Sequence, residues 1–293
     1  MTPTRAGSGD ELPGGAVYKV SGAGNDFLAI VEPHRDPTES EVAAWCARGF
    51  AFGADGVFVL RRAGDVVRMD HWNADGGRVA CCLNATRCAT RLALELGWAE
   101  REVTLETGAG PIVGRAGARS ATAALVVPTP AEAPREVALE VDGRSHAGWF
   151  VTVGVPHVLL VVEESLASAP VAALGPALRR HPDLGPAGSN VDWIRFPDRQ
   201  TLELRTFERG VEGETLACGT GILASVALGR HLERCDAGVE VRVLGGFTLR
   251  AGVAEDPDGR ARLLLEGDAR ILAKLDLTAD AAVPPPPPPR WSA

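Results

Sequence analysis

The sequence predicts a mixed chain of strands and helices in two similar halves, and three observations predict it. Short alternating or apolar runs recur along most of its length, at the period and size of strands. The order strand, glycine-bearing turn, cysteine, helix occurs twice, once at Cys82 and once at Cys218. A Pro/Ala-rich stretch, residues 128–134, parts the two copies and is the best domain boundary. Internal two-fold repetition of this kind places a binding site between the halves.

Each element has a local reason. Residues 1–15 read as a flexible leader, and order begins at Val17 to Val20. The loop Gly22-Ala23-Gly24-Asn25-Asp26-Phe27 lacks the spacing of a dinucleotide fingerprint and no helix pattern follows it, so it returns the chain into a second strand at Leu28 to Val31. Thr38 or Ser40 can cap a helix reaching about Arg48. Gly53 to Gly56 turns into a strand at Val57 to Leu60, and Val66 to Asp70 continues strand-like. A helical pattern with Leu92 and Leu96 one turn apart closes at Gly97. Residues 101–127 alternate as strands.

Beyond the boundary, strand patterns resume at Val137 to Val141, Trp149 to Val153 and Val158 to Val162, with Gly154 to His157 as an interruption. A helix is expected from about Leu166 to Arg180, broken around Gly175-Pro176. Strands at Asn190 to Ile194 and Thr201 to Glu208 lead to the Cys218 helix. The apolar residues of that helix, Ile222 to Leu228, cover most of its circumference, which predicts burial inside its own half. Three more strands follow, and Ile271 to Leu277 returns to the first domain. The first domain is thus expected at 16–130 with about 268–280, the second at 135–267. Residues 281–293, with Pro284 to Pro289, read as an extended, unpacked polyproline tail.

The composition excludes several classes. With 45% hydrophobic and 23% charged residues among 293, the chain has the balance of a soluble globular protein. A net charge of −8 argues against nucleic acid or an anionic membrane as partner. No apolar run has the length of a membrane span, and the N-terminus lacks the apolar middle of a signal peptide, so the cytoplasm is the default location. Cysteines 46, 81, 82, 88, 218 and 235 form no Cys-x-x-Cys pair and match no zinc spacing. Reactive or buried thiols remain. Cys218, just ahead of Gly219-Thr220-Gly221 and an apolar helix, is a candidate thiolate, because helix N-terminal amides favour an anion. A buried structural cysteine beside a turn is the competing reading.

The stretch Glu208 to Gly221, ERGVEGETLACGTG, together with Gly22 to Phe27 and Asn73-Ala74-Asp75-Gly76, resembles the diaminopimelate epimerase family of two-cysteine amino-acid racemases and epimerases that work without pyridoxal phosphate. The resemblance spans roughly residues 17–277. It implies an α+β fold of two pseudo-symmetric domains, each a largely antiparallel sheet wrapped round a central helix, with the active site in the cleft between them. It maps the two acid/base cysteines onto Cys82 and Cys218, and leaves Cys81 to packing. Asn25, Asn73, Asn190 and Arg209 would line the far end of a small amino-acid substrate, Glu208 would receive an amino group, and Gly219 and Thr220 would hold the α-carboxylate with their amides. Asp55 and His157 would stand behind these as support. No metal or organic cofactor is implied, and a homodimer is the family's assembly.

Three departures bear on the substrate. Where the family carries Gly-Asn-Gly after the first cysteine, this chain carries Leu83-Asn84-Ala85, and Leu83 is expected to crowd or reshape the carboxylate site. The family's Gly-Asn-Pro-His is Gly154-Val155-Pro156-His157 here, which removes an amide from the distal end. Asp192 stands where Asn or a small residue is common. The expected reaction is inversion at Cα of LL-diaminopimelate, or of another amino acid with a less polar or differently placed distal group. Two alternatives are a same-fold isomerase of the phenazine-biosynthesis type, which the cysteine pair argues against, and a silent paralogue that only binds an amino acid.

Overall fold

The computed structural model describes residues 12–256 and 258–283. Most of the expected leader (1–11) and of the expected tail (284–293 of 281–293) lies outside the described residues; the start of that tail is corrected, because Ala281 sits in a helical turn (Ala279–Ala282) and packs on the core beside Trp45. Of the rest of the leader, Pro13 is buried and its carbonyl accepts from His34 N at 2.9 Å, while Leu12 packs on the core beside Trp45. Packing therefore begins before the first strand.

The first half contains β1 (Ala16–Gly22), β2 (Asn25–Val31), β3 (Gly56–Ala63), β4 (Val66–Asn73), the short β5 (Arg78–Val79), β6 (Glu102–Thr107), β7 (Gly110–Ala116) and β8 (Thr122–Pro128). The second contains β9 (Arg135–Val141), β10 (Arg144–Val153), β11 (Val155–Val161), β12 (Asn190–Asp198), β13 (Thr201–Glu208), the short β14 (Gly213–Thr215), β15 (Gly238–Val243), β16 (Thr248–Glu255) and β17 (Ala261–Asp268). Finally β18 (Arg270–Leu275) pairs antiparallel with β1. Helices α1 (Glu39–Cys46) and α2 (Leu83–Glu95) belong to the first half, α3 (Val171–Arg179) and α4 (Gly219–His231) to the second.

The pairing repeats between the halves. Strands β2–β3 and β4–β6 pair in parallel, and so do β11–β12 and β13–β15; the other pairs are antiparallel. A parallel pair needs a crossover, and α1, α2, α3 and α4 each lie on one of these four. The halves join where β8 runs antiparallel to β17, Leu125 opposite Leu265. This is an α+β fold with two similar halves.

Each central helix is buried by its own half. Ala85, Cys88, Ala89, Leu92 and Ala93 of α2 pack against Phe27, Phe58, Leu60, Val103 and Leu105. Ile222, Leu223, Ala224, Val226 and Leu228 of α4 pack against Leu159, Ile194, Leu204, Val241 and Leu265. Both helices end alike. Trp98 N bonds Ala93 O at 3.0 Å and Gly97 N bonds Leu94 O at 3.0 Å, with Gly97 left-handed at φ 70°. In α4 the same motif has Arg234 N on Gly229 O at 2.8 Å, with Glu233 taking the left-handed position.

Local signals place most boundaries. Thr38 caps α1, accepting from Glu41 N while the Glu41 side chain accepts from Thr38 N, a complete capping box. The β1–β2 hairpin turns on Ala23 and Gly24, at φ 54° and 84°, the conformations a two-residue hairpin demands. Two expectations are corrected. The helix expected from Leu166 breaks at Ala169-Pro170 into a single turn (Leu166–Ser168) and α3, and Pro176 lies within α3. Gly175 earns its place there by packing, because a Cβ would overlap the Phe207 ring. Val155 and His157 belong to β11 rather than to an interruption, the reversal from β10 being made by Gly154 at φ 69°.

Leu92 is wholly buried at the centre of the α2 core. Leu92→Ala should lower unfolding stability by about 2–5 kcal/mol, read from urea titration. A smaller loss would mean that α2 is less tightly enclosed than its packing indicates.

Candidate active site

Cys82 and Cys218 are the N-cap residues of α2 and α4, at matching places in the two halves, each with extended backbone. The two helix starts meet. Asn84 Nδ2 donates to Ala217 O at 3.0 Å, and a Cβ on Gly219 would fall 2.8 Å from the Leu83 Cβ. Leu83 thus inserts from the first half into the core of the second. It packs against the α4 start.

Asn25, at the start of β2, is held from two sides. Its Nδ2 donates to Asp55 Oδ2 at 2.6 Å, and its Oδ1 accepts from Asn84 Nδ2 at 3.4 Å and faces Cys82 Sγ at 4.0 Å. Behind it, Asp55 and Asp26 both bond Arg48, and Lys19 pairs with Asp26. Asn84 Oδ1 in turn accepts from Arg87 Nη2 at 2.7 Å. Arg87, one turn into α2, is completely buried.

On the Cys218 side a buried chain runs from β13 to the segment after it. Thr206 Oγ1 donates to Asp192 Oδ1 at 2.6 Å, and Asp192 Oδ2 lies 2.6 Å from His157 Nδ1. His157 Nε2 is 3.4 Å from Asn190 Nδ2, and Asn190 Oδ1 accepts from Arg209 N at 2.8 Å. The backbone donor at Arg209 fixes the Asn190 amide, so His157 Nε2 must accept and Nδ1 must carry the proton. Asp192 also lies against the α4 start, where a Cβ on Gly221 would fall 2.6 Å from its Oδ1. The departure at 192 therefore changes buried support rather than a cavity wall.

Two cavities meet at Cys82. One, about 520 Å³, is lined by Asn25, His71, Asn73, Asp75, Glu208 and neighbouring residues. The other, about 790 Å³, is lined by Leu83, Ile112, Val155, Arg209, Gly219, Thr220 and the stretch Val127 to Glu132. The residues expected at one distal end are therefore divided. Asn25 and Asn73 face the smaller cavity, Val155 and Arg209 the larger, and Asn190 lies beneath the wall. Cys81 lines the larger cavity beside Cys82.

The helix starts do not lower the thiols overall. Burial pushes Cys82 up to about 12, against the amides of Ala85 and Asn84 that favour its anion, and the charge of Glu208 pushes the same way as burial. Burial also raises Cys218 well above the ordinary thiol range, reinforced by Glu208 and then Asp192, while Thr220 and the Gly221 amide oppose it. Glu208 is itself raised, chiefly by burial. The expectation of a thiolate at a helix start is corrected: enclosure outweighs the helix amides. His71, Arg87 and Thr206 escaped the sequence reading. His71 stands two residues before Asn73 on one strand and so shares its face, which was the available signal.

A sheet ribbon with a buried helix in each half is a fold that recurs among solved structures. It matches a probable proline racemase from Agrobacterium radiobacter K84 (TM-score 0.68, 16% identity, 90% of this chain and 93% of that one). It also matches a hydroxyproline epimerase from Agrobacterium vitis (TM-score 0.64, 20% identity, 90% and 92%). A phenazine biosynthesis protein from Enterococcus faecalis shares the fold (TM-score 0.63, 16% identity, 88% and 97%).

Sequence narrows the class further. The family model described as diaminopimelate epimerase matches residues 17–122 and 149–263. The diaminopimelate epimerase of Gemmatimonas aurantiaca is 35% identical over 87% of this chain and 96% of its own length, and that of Chlorobaculum tepidum is 34% identical over 88% and 100%. The chain belongs to the diaminopimelate epimerase family and is an isomerase of the epimerase type.

Alkylation of Cys82 by iodoacetamide, followed by peptide mass spectrometry, should accelerate about tenfold per pH unit from pH 7 to 9 without a plateau. Levelling off at about pH 8.5 to 9 would show an ordinary thiol, and a plateau below pH 8 a lowered one.

Proposed function

We propose that this chain inverts the Cα configuration of an α-amino acid by passing protons between that carbon and the thiols of Cys82 and Cys218. The observation that carries the reading is the equivalence of these two cysteines, each capping the central helix of its half at the point where the helix starts meet. One thiolate removes the Cα proton, the electron pair stays on the carbon and its carboxylate, and the opposite thiol returns a proton to the other face. Amides at the two helix starts, those of Leu83 and Asn84 and those of Gly219 and Thr220, serve as preorganised donors to the carboxylate as charge develops. No pyridoxal phosphate is needed in this scheme, because donors in a dry site take over the stabilisation.

Glu208 supplies the link between binding and ionisation. Its charge opposes the thiolate at both cysteines. A substrate ammonium beside Glu208 would cancel that charge, so binding itself would bring the thiols towards ionisation. Asn25 and Asn73 are proposed to contact the substrate from the smaller cavity, and Arg209 from the larger, where its guanidinium suits a carboxylate. Asn190, Asp192 and His157 are proposed to hold the Glu208-Arg209 segment in place.

The substrate is LL-diaminopimelate or an amino acid with a distal group placed differently. Val155 lines the larger cavity without an amide to offer, and Leu83 occupies space between the helix starts. The six cysteines are free and suit a reducing, cytoplasmic setting, in which Cys82 and Cys218 do not oxidise. The division into a unit at 16–130 with about 268–280 and one at 135–267 is supported by the return of β18 to β1. A homodimer remains part of the reading through the family.

Incubation with a panel of amino acids in heavy water should place deuterium at Cα of the true substrate. Cys82→Ser or Cys218→Ser should cut turnover at least 100-fold while leaving ligand-induced thermal stabilisation in place. Absence of exchange with every amino acid, by folded protein, would overturn the reaction; binding without exchange would leave an amino-acid-binding protein. Val155→Asn should lower KM for diaminopimelate by tenfold or more if a missing amide is what weakens its binding. An unchanged KM would remove Val155 from the specificity argument.

A further inference from the structure

Beside Cys82 the smaller cavity contains a polar side chain to which no role has been given. His71 lies on β4, opposite Phe58 on one neighbouring strand and Val79 on the other. It is 5% exposed, and among the described residues neither ring nitrogen has a hydrogen-bond partner. The ring stands edge-on to Phe27, with centroids 5.7 Å apart, and Gly56 leaves room for it: a Cβ there would come within 3.0 Å of His71 Nε2. A Cβ at 56 would also fall 2.5 Å from the Trp72 carbonyl, so the glycine serves the strand pairing as well as the imidazole, for which the protein supplies no bonding partner.

Buried polar groups are bonded in native structures, and an orphan calls for an explanation. Here the environment provides one. His71 lines the same cavity as Asn25, Asn73, Cys82 and Glu208, its two ring nitrogens covered at the wall, and its place two residues before Asn73 puts both side chains on one face of the strand. Burial pushes the imidazole down to about 4, so at neutral pH it is uncharged, with one N–H to donate and one bare nitrogen to accept.

We infer that His71 is a substrate-contacting, specificity-determining residue, which hydrogen-bonds a nitrogen-bearing group on the side chain of the amino acid whose Cα lies at Cys82. The inference rests on the epimerase reading of the same site and narrows its substrate class. The charges of the cavity select nitrogen. Arg48 is spent on Asp26 and Asp55, and Glu214 is paired with Arg205. Glu208 is taken up by the substrate's own ammonium, and Asp75 has no cationic partner among the described residues, so what is left of the cavity favours an amine or carboxamide over a lone carboxylate. Polar recognition that Val155 withholds in the larger cavity is thereby offered on the opposite side of Cys82. Diaminopimelate fits this class through its second amino group, and aliphatic amino acids do not.

The test uses His71→Leu, which fills similar space without hydrogen bonds, and His71→Gln, which keeps both a donor and an acceptor. Thermal stabilisation of wild type by diaminopimelate, glutamine and norleucine reads binding without any need for turnover, and deuterium exchange at Cα reads turnover. Wild type should be stabilised by a nitrogen-bearing amino acid and not by norleucine. In His71→Leu that stabilisation should vanish and KM should rise tenfold or more with kcat within a few-fold, while His71→Gln recovers most of the affinity. The ligand-free melting temperature of His71→Leu should equal or exceed that of wild type, because the substitution removes an unbonded buried polar group.

Equal stabilisation of wild type and His71→Leu, preference of the wild type for norleucine, or a fall in ligand-free melting temperature that accounts for lost binding would each overturn the inference. Binding selectivity that depends on His71 without any exchange would instead sink the epimerase reading and leave the contact standing.

Discussion

The junction of the two helix starts is the constraint on which the rest of the structure depends. Asn84 reaches across to Ala217 O, and Leu83 lies against Gly219 so closely that no side chain could stand at 219. Each contact is made by the residue immediately after, or one beyond, a cap cysteine. The two halves therefore cannot shift without moving both thiols. The β8–β17 pairing fixes the same relation close by, with Leu265 of β17 only 3.1 Å from where a Cβ on Gly219 would stand.

Enclosure follows from that junction and sets the electrostatics. A helix N-terminus favours an anion by a modest amount in water-exposed settings, whereas burial of a thiol away from solvent opposes its ionisation much more strongly. Both cysteines are raised in consequence, and both feel the same carboxylate, Glu208. Burial and Glu208 thus both favour the protonated thiols. In the proposed reaction the opposing cation is the substrate, which couples recognition of the amino group to generation of the base.

Support around the site is unequal in kind. Beside Cys82 it is ionic and partly open to solvent, with Arg48, Lys19, Asp26 and Asp55 behind Asn25. Beside Cys218 it is dry and ordered in one direction, from Thr206 through Asp192 and His157 to Asn190 and the Arg209 amide. An ionic support tolerates adjustment, while a buried chain of bonds holds one geometry. The departures from the family at Leu83 and Val155 face the larger cavity, and His71 faces the smaller one.

Much of this was legible in the residues themselves. Capping by Thr38, the turn at Gly97, the all-round apolar face of α4 and the repeated order ending at Cys82 and Cys218 are local patterns, and local patterns act through short-range sterics and hydrogen bonds that one stretch of chain contains. Family membership was legible for the same reason, through contiguous motifs. What tertiary structure decided is everything that depends on which surfaces face each other. Only packing shows that α3 starts after Pro170, that Asn25 and Arg209 face different cavities, and that an imidazole at 71 is buried without a partner. The direction of the thiol shifts belongs to this second group. A cysteine at a helix start could be read from the chain, but desolvation arises from both halves closing over it, and closure is a property of contacts more than a hundred residues apart, such as that between Asn84 and Ala217.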